Sequence, residues 1–263
     1  MRFGAMNFPI SPVIDELRKV AGLGFDYFEL SLDPPCAHYR EIEKVQTELV
    51  QTLEDLGMDL VCHLPTFVYT ADLAPEIRKA SLEEMLSSIR TAARIRAVKA
   101  VLHPSMFSGL GHLVPDLAAP LAFDSLSTLV KEAESLGLRL CLENMFPRYH
   151  CFFYPEHFIP VLKAFPSLQL TLDTGHANIE DPEGKRLFEF IRQFPDRIGH
   201  VHVSDNHGKR DDHLRVGKGS IDFDRFAREI KKTGYNDTMT LEIFSSDPGD
   251  LIHSRERMVS LFA

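Results

Sequence analysis

Six polar residues return along the chain at a nearly regular interval: His63, His103, Glu143, Asp173, His202 and Glu242 are separated by 40, 40, 30, 29 and 40 positions. Each one follows or ends a short apolar run. Imidazole nitrogen and carboxylate oxygen suit zinc, manganese, iron or cobalt. Gathered in one cleft, such like charges would repel unless a cation offset them, so a divalent metal is the economical reading. The densest stretch, HVHVSDNHGKRDDHLRVGKG at 200–219, adds Asp211 and His213. His200 and His202 share a face if the run before the loop is a strand, because strand side chains repeat every second residue. His176 stands one helical turn beyond Asp173, and Asn144 follows Glu143 directly.

Something must bring these scattered positions together, and the intervals are the size of one strand-helix unit. Apolar runs read as strands at 2–6, 25–30, 59–62, 97–102, 138–142, 168–172, 198–202 and 239–241, so that each of the six residues caps a strand at the same end. Helical spacing fills the gaps: about 12–21 after the Ser11-Pro12 start signal, 42–56, 75–95, 121–136, 155–164, 183–193, 223–232, and a last helix from about Leu251. Eight short strands alternating with eight helices predict a parallel sheet covered by helices, and the count favours a closed (β/α)8 TIM barrel. In that fold, active sites form at the C-terminal ends of the strands. The first strand is followed by no Gly-x-Gly-x-x-Gly, so dinucleotide binding has no support.

No linker or composition shift divides the 263 residues, and 1–263 is read as one domain. An apolar content of 44% suffices for a core. The formal charge of −9 argues against a broad basic face for nucleic acid. No long apolar segment opens the chain or approaches a membrane span, and a cytoplasmic protein is expected. Cys36, Cys62, Cys141 and Cys151 lack C-x-x-C spacing and read as reduced thiols rather than a zinc site. Phe67, Phe107, Phe146 and Phe244 each follow a strand-end residue within four positions and are candidates to wall a pocket for a small organic ligand.

The stretches VCHLP (61–65), VLHPS (101–105), CLENMF (141–146), TLDTGHANI (171–179), HVHVSDNHG (200–208), DDHLRVGKGSIDF (211–223) and TLEIF (240–244) resemble the xylose isomerase-like barrel superfamily. The resemblance touches most of the chain and is to the sugar phosphate isomerase/epimerase branch, with endonuclease IV as a relative. The ketose epimerases of that branch hold one divalent ion, often manganese or cobalt, with two Glu, one Asp and one His. Those positions fall on Glu143, Asp173, His202 and Glu242, and the resemblance makes Glu143 and Glu242 the proton carriers. It also implies a sugar-like substrate, with His176 and Arg215 on its hydroxyls, Lys218 at a phosphate or carboxylate, and Phe67 and Phe107 in the pocket wall.

Endonuclease IV supplies the alternative, a hydrolase that cuts a phosphodiester at abasic DNA with three zinc ions. Its nine ligands fall on His63, His103, Glu143, Asp173, His176, His202, Asp211, His213 and Glu242. The expectation therefore spans one to three ions of zinc, manganese or cobalt. The acidic balance and the LPTFVYT loop after His63 favour the isomerase. A non-catalytic barrel that binds a metabolite is a third reading, since fold does not determine function. Oligomeric state, a homo-oligomer included, stays open.

Overall fold

The computed structural model describes residues 1–263. In chain order it holds β1 (Arg2–Met6), α1 (Val13–Gly22), β2 (Tyr27–Ser31), α2 (Tyr39–Leu56), β3 (Asp59–His63), α3 (Pro75–Arg94), β4 (Lys99–Leu102) and α4 (Pro115–Ser135). There follow β5 (Leu140–Glu143), α5 (Pro155–Ala164), β6 (Gln169–Asp173), α6 (Thr174–Asn178), α7 (Arg186–Gln193), β7 (Ile198–Val203), α8 (Phe223–Lys232), β8 (Thr238–Leu241) and α9 (Pro248–Phe262). All eight strands are parallel and pair in sequence order, and β8 closes on β1. This is the (β/α)8 barrel that the alternating runs predict.

The alternation of side chains across each strand divides the molecule into two kinds of interior. Outward residues such as Phe28, Leu30, Leu60, Cys62, Leu142, Leu172, Val203 and Leu241 join the helices in an apolar cluster of 51 buried residues. Helix α1 shows how the sequence builds this layer: Val13, Leu17 and Val20 recur at helical spacing and are all buried. Inside the barrel the apolar cluster has only three members, Tyr27, Val61 and Val101. The rest of the inner face is polar, with Glu29, Lys99, Glu143, Thr171, His200, His202, Thr238 and Thr240 all fully buried. Gly4 makes room for one of them, because a Cβ there would lie 2.3 Å from the Tyr27 ring.

Five helices differ from expectation, two of them only at the start: α2 begins at Tyr39 instead of 42, and α7 at Arg186 instead of 183. Helix α4 starts at Pro115 instead of 121 and runs through Pro120, although proline removes an N–H and normally stops a helix. Burial of Ala118 against Phe107 and Cys151 holds the extra turn. Helix α9 starts at Pro248, where proline suits the first helical position and the Asp247 carboxylate accepts from Gly249 N. The five-residue α6 was not expected at all. The Asp173 carboxylate caps it by accepting from His176 N at 2.6 Å, so one residue ends a strand and starts a helix.

At the N-terminal end of the barrel, the Lys99 ammonium is buried and donates to Asp237 Oδ2 at 2.7 Å. Burial opposes the low pKa of the Asp237 carboxyl, but Lys99, Arg2 and Arg139 outweigh it and hold the group below its usual range. Removing one partner of a buried pair strands the other charge, at a cost of about 3–5 kcal/mol. With Asp237 partly open to water, Asp237→Ala is expected at the low end, about 3 kcal/mol. An unchanged urea midpoint for this variant would show that Lys99 is neutralised in some other way.

Candidate metal centre

The C-terminal ends of β3 to β8 bring all six strand-end residues into one cluster. His63 Nε2 and His103 Nε2 lie 3.5 and 3.2 Å from Glu143 Oε2. His202 Nδ1 lies 3.5 Å from Glu143 Oε2, 3.8 Å from Asp173 Oδ2 and 3.3 Å from Glu242 Oε1. His176, carried by α6, places Nδ1 3.0 Å from Glu143 Oε1 and Nε2 3.2 Å from Asp211 Oδ2. His213 completes the ring, 3.0 Å from Asp211 Oδ2 and 3.7 Å from Glu242 Oε2. All nine candidate metal residues thus form one connected network.

The loop that returns Asp211 and His213 is anchored by a residue that the sequence reading passed over. Asp205 is buried, and its carboxylate accepts from the backbone N–H groups of Gly217, Gly219 and Ile221 at 3.0, 2.8 and 3.2 Å. Its own backbone exchanges hydrogen bonds with Leu214 at 2.9 and 2.8 Å. Gly219 is required at this wrap, since a Cβ would sit 2.2 Å from Asn206 O. His213 takes a left-handed backbone, φ 45°, which a non-glycine residue adopts only against strain of about 1–3 kcal/mol. Its Nδ1 lies 3.1 Å from Glu242 O, and its N–H-bearing loop meets Phe244, whose ring centroid is 4.2 Å from that of His213.

Other candidates fall into distinct places. Asn144 locks β5 to β6, donating to Asp173 O at 3.1 Å and accepting from Asp173 N at 2.7 Å. Phe146 lies against His176 with ring centroids 5.1 Å apart. Phe67, 78% exposed, shares an open cavity of about 310 Å³ with Phe146, Tyr149 and His103. Phe107 does not join that rim: it is 7% exposed and packs with Ala71, Ala118 and Cys151. Arg215 Nε pairs with Asp250 Oδ1 at 3.1 Å, and Lys218 is exposed without an ion pair, so neither touches the cluster. Glu29, which the sequence reading left unassigned, accepts from His202 Nε2 at 3.0 Å beneath the cluster. The four cysteines are free thiols.

The charges within the network are strongly coupled. Burial pushes the Glu143 carboxyl up, but His202 and His103 outweigh it and hold the group well below its usual range. Burial drives Asp173 up to about 7, with Glu143, Glu242 and Asp211 adding to the rise and His176 opposing it. Burial disfavours the charged forms of His176 and His202. Even so, Asp173 and Asp211 around the first, and Glu242, Glu29 and Glu143 around the second, lift both well above the ordinary value. His213 rises to about 9 by the same contest, with Asp211 and Glu242 prevailing over burial. His103 is pushed down by burial despite Glu143.

The donor set fits a metal ion. Both Glu143 oxygens, Asp173 Oδ2, His202 Nδ1, Asp211 Oδ1 and His103 Nδ1 are buried without a hydrogen-bond partner. Such orphans are rare in proteins, and half of those in this molecule belong to this one cluster. Ligand atoms of Glu143, Asp173 and His176, and of Asp173, His202 and Glu242, lie within 4.8 Å of one another in each trio.

A profile described as a xylose isomerase-like TIM barrel matches residues 17–260. The chain belongs to the xylose isomerase-like TIM barrel family. Among its relatives, an uncharacterized protein of Methanocaldococcus jannaschii is 27% identical, over 97% of this chain and 87% of its own length. The ketose 3-epimerase of Arthrobacter globiformis is 25% identical over 91% of this chain and 80% of its own. The solved structure of a D-tagatose 3-epimerase-like protein superimposes with a TM-score of 0.89 at 26% identity, covering 99% of this chain and 97% of that one. This xylose isomerase-like chain is therefore related to sugar epimerases across nearly its whole length.

Metal ligands must be deprotonated, so an ion binding here would expel the protons that the network holds. With Asp173 near 7 and His202 and His176 protonated at neutrality, divalent-ion affinity is expected to weaken as the pH falls through about 7. Calorimetry of zinc binding in two buffers of different ionisation enthalpy measures the release. Identical heats in both buffers would contradict this charge assignment.

Proposed function

We propose that the protein is a divalent-metal-dependent epimerase acting on a small ketose or keto-sugar, with Glu143 and Glu242 as the proton carriers. The observation that carries the reading is the placement of these two carboxylates. They come from β5 and β8, and both approach His202 Nδ1, at 3.5 and 3.3 Å. A substrate carbon held between them has one carboxylate on each face. The kinship with ketose and tagatose epimerases supports the same assignment.

Glu143, Asp173, His202 and Glu242 would hold the ion. When bound, a divalent cation supplies fixed positive charge beside the substrate carbonyl, offsetting the negative charge that builds there as the neighbouring carbon loses its proton. The residues do the rest. Glu143, held ionised by the surrounding imidazoles, takes the proton from one face; Glu242 returns one to the other face, and the centre is inverted. In the reverse direction the roles exchange. His176, fixed between Glu143 and Asp211, stands at the wall where a substrate hydroxyl would lie. Phe67, Phe146 and Tyr149 border the open cavity beside His103 and would exclude water from one side of a sugar ring. Arg215 and Lys218 can join only if substrate draws their loop inward.

One observation favours the second reading, a multi-zinc phosphodiester hydrolase: the nine-residue network is complete. Against it stand the net charge of −9 and the epimerase relatives.

Two measurements decide. In deuterated water with a panel of ketoses and keto-sugars, the metal-loaded protein should wash solvent deuterium into the carbon next to the carbonyl. Glu143→Gln and Glu242→Gln should each slow this by about 10²–10⁴-fold while circular dichroism stays that of the parent. Near-parental exchange in either variant removes that residue from proton transfer, and nicking of an abasic duplex without any exchange transfers the assignment to the hydrolase. For ion number, His103→Ala should leave stoichiometry unchanged with one ion and lower it with three.

A further inference from the structure

Barrel interiors are ordinarily filled by layers of branched apolar side chains. Here a continuous polar chain crosses the interior beneath the metal centre, and its hydrogen bonds can run in only one direction. Lys99 Nζ donates to Gly199 O at 2.6 Å, Asp237 Oδ2 at 2.7 Å and Thr238 Oγ1 at 3.0 Å. An ammonium has three donors and no acceptor, so Thr238 must accept from it. The Thr238 hydroxyl hydrogen is then free to donate to His200 Nδ1, 2.7 Å away.

An imidazole nitrogen that accepts carries no proton of its own. The Thr238 hydroxyl has Nδ1 as its acceptor because its other side-chain neighbour, Lys99, only donates, and Nε2 faces a carboxylate oxygen that only accepts, so the ring's proton sits on Nε2. That N–H points to Glu29 Oε2 at 3.0 Å, with Thr240 Oγ1 a more distant neighbour at 3.3 Å. The Thr240 hydroxyl donates to the same Glu29 oxygen and takes the Tyr27 O–H at 2.7 Å. Glu29 Oε1 remains, and it faces His202 Nε2 at 3.0 Å.

We propose that this one-way relay from Lys99 through Thr238 and His200 makes Glu29 a positioning residue: it holds the His202 proton on Nε2 and leaves Nδ1 to bind the ion. A carboxylate behind a ligating imidazole fixes its tautomer and ring orientation and raises its basicity. The geometry matches at both ends, since Nδ1 is the nitrogen that faces Glu143, Asp173 and Glu242. Glu29, His200 and His202 also lie close enough to hold an ion among themselves. Every facing atom of that trio is already hydrogen-bonded, however, which leaves no ligand free there. The inference rests on reading His202 as a metal ligand and specifies which of its nitrogens binds and what selects it.

The test uses the full-length protein loaded with zinc and labelled with ¹⁵N-histidine, its resonances assigned through His200→Gln and His202→Gln. Long-range ¹H–¹⁵N spectra should show His200 neutral and protonated on Nε2, and His202 coordinated through Nδ1. Glu29→Gln should weaken zinc binding by about 10–100-fold in chelator competition, because the amide turns a donor toward one of the two imidazoles. Thr238→Val, which removes the donor to His200 Nδ1 and leaves Glu29 in place, should shift the Nδ1 resonance of His200 while Nε2 stays protonated, and an unchanged Nδ1 resonance would overturn the Thr238 step. A His202 bound through Nε2, a wild-type His200 protonated on Nδ1, or unchanged zinc affinity in Glu29→Gln would overturn the relay. Should Glu29→Gln fail to fold, the wild-type spectrum decides alone. Failure of the wild-type protein to take up zinc would instead overturn the ligand reading beneath it.

Discussion

Four carboxylates, Glu143, Asp173, Asp211 and Glu242, meet at the mouth of the barrel, and three of them are almost completely removed from water. Ionised carboxylates cannot stay so close in a poorly hydrated place unless positive charge lies among them. In the metal-free protein the imidazoles of His176, His202 and His213 supply it by holding protons, and Asp173 gives way by keeping its own up to about pH 7. The protons therefore occupy the role that a bound cation would fill.

Such an interior is tolerable because the fold's stability lies elsewhere. The large apolar cluster fills the layer between strands and helices, and only Tyr27, Val61 and Val101 form an apolar group inside the barrel. Outward-facing residues thus carry the hydrophobic contribution, and inward-facing ones are free to be polar provided every donor and acceptor is met. Below the mouth this condition is met along one chain, since Lys99, Thr238, His200, Glu29, Thr240 and Tyr27 satisfy one another in sequence, while the Thr171 hydroxyl stays unpaired. At the mouth it fails, and the orphaned atoms of Glu143, Asp173 and His202 mark where the molecule ends its internal pairing and presents ligands.

The barrel and the strand-end residues were legible because both follow from periodicity. A strand-helix unit has a nearly fixed length, so six residues at that interval must stand at equivalent positions of a closed sheet. Glu29 escaped that logic. It lies 171 residues from His200 and 173 from His202, and the contact arises only because β2 and β7 face each other across the interior. Asp205 escaped for a related reason, since its role is to accept backbone N–H groups of a loop whose path no spacing specifies. Helix α6 is too short to show a helical period and exists through one cap at Asp173. For Arg215 and Lys218, the resemblance implied a hydroxyl and a phosphate or carboxylate partner, but side-chain direction in a loop is set by local contacts, and Asp250 pairs with Arg215.

Accessibility within the cluster has a direction that bears on its chemistry. The side chains of Glu143, Asp173 and His202 are 0% exposed, Glu242 is 7%, and His103, His213 and Asp211 rise to 14, 15 and 20%. His63 and His176, at 4 and 5%, share the dry end with those four, so the wetter end holds three of the nine network residues. Of the two carboxylates proposed as proton carriers, Glu242 stands nearer the wet end and Glu143 lies deeper. Within the wetter end, Asp211 and His213 sit on the loop tied down by Asp205, with the strained backbone at His213, whereas His103 follows β4. A change at Asp205 or His213 would therefore act on two of the nine network residues and leave the other seven at the ends of the barrel strands and in α6, with the polar chain beneath them intact.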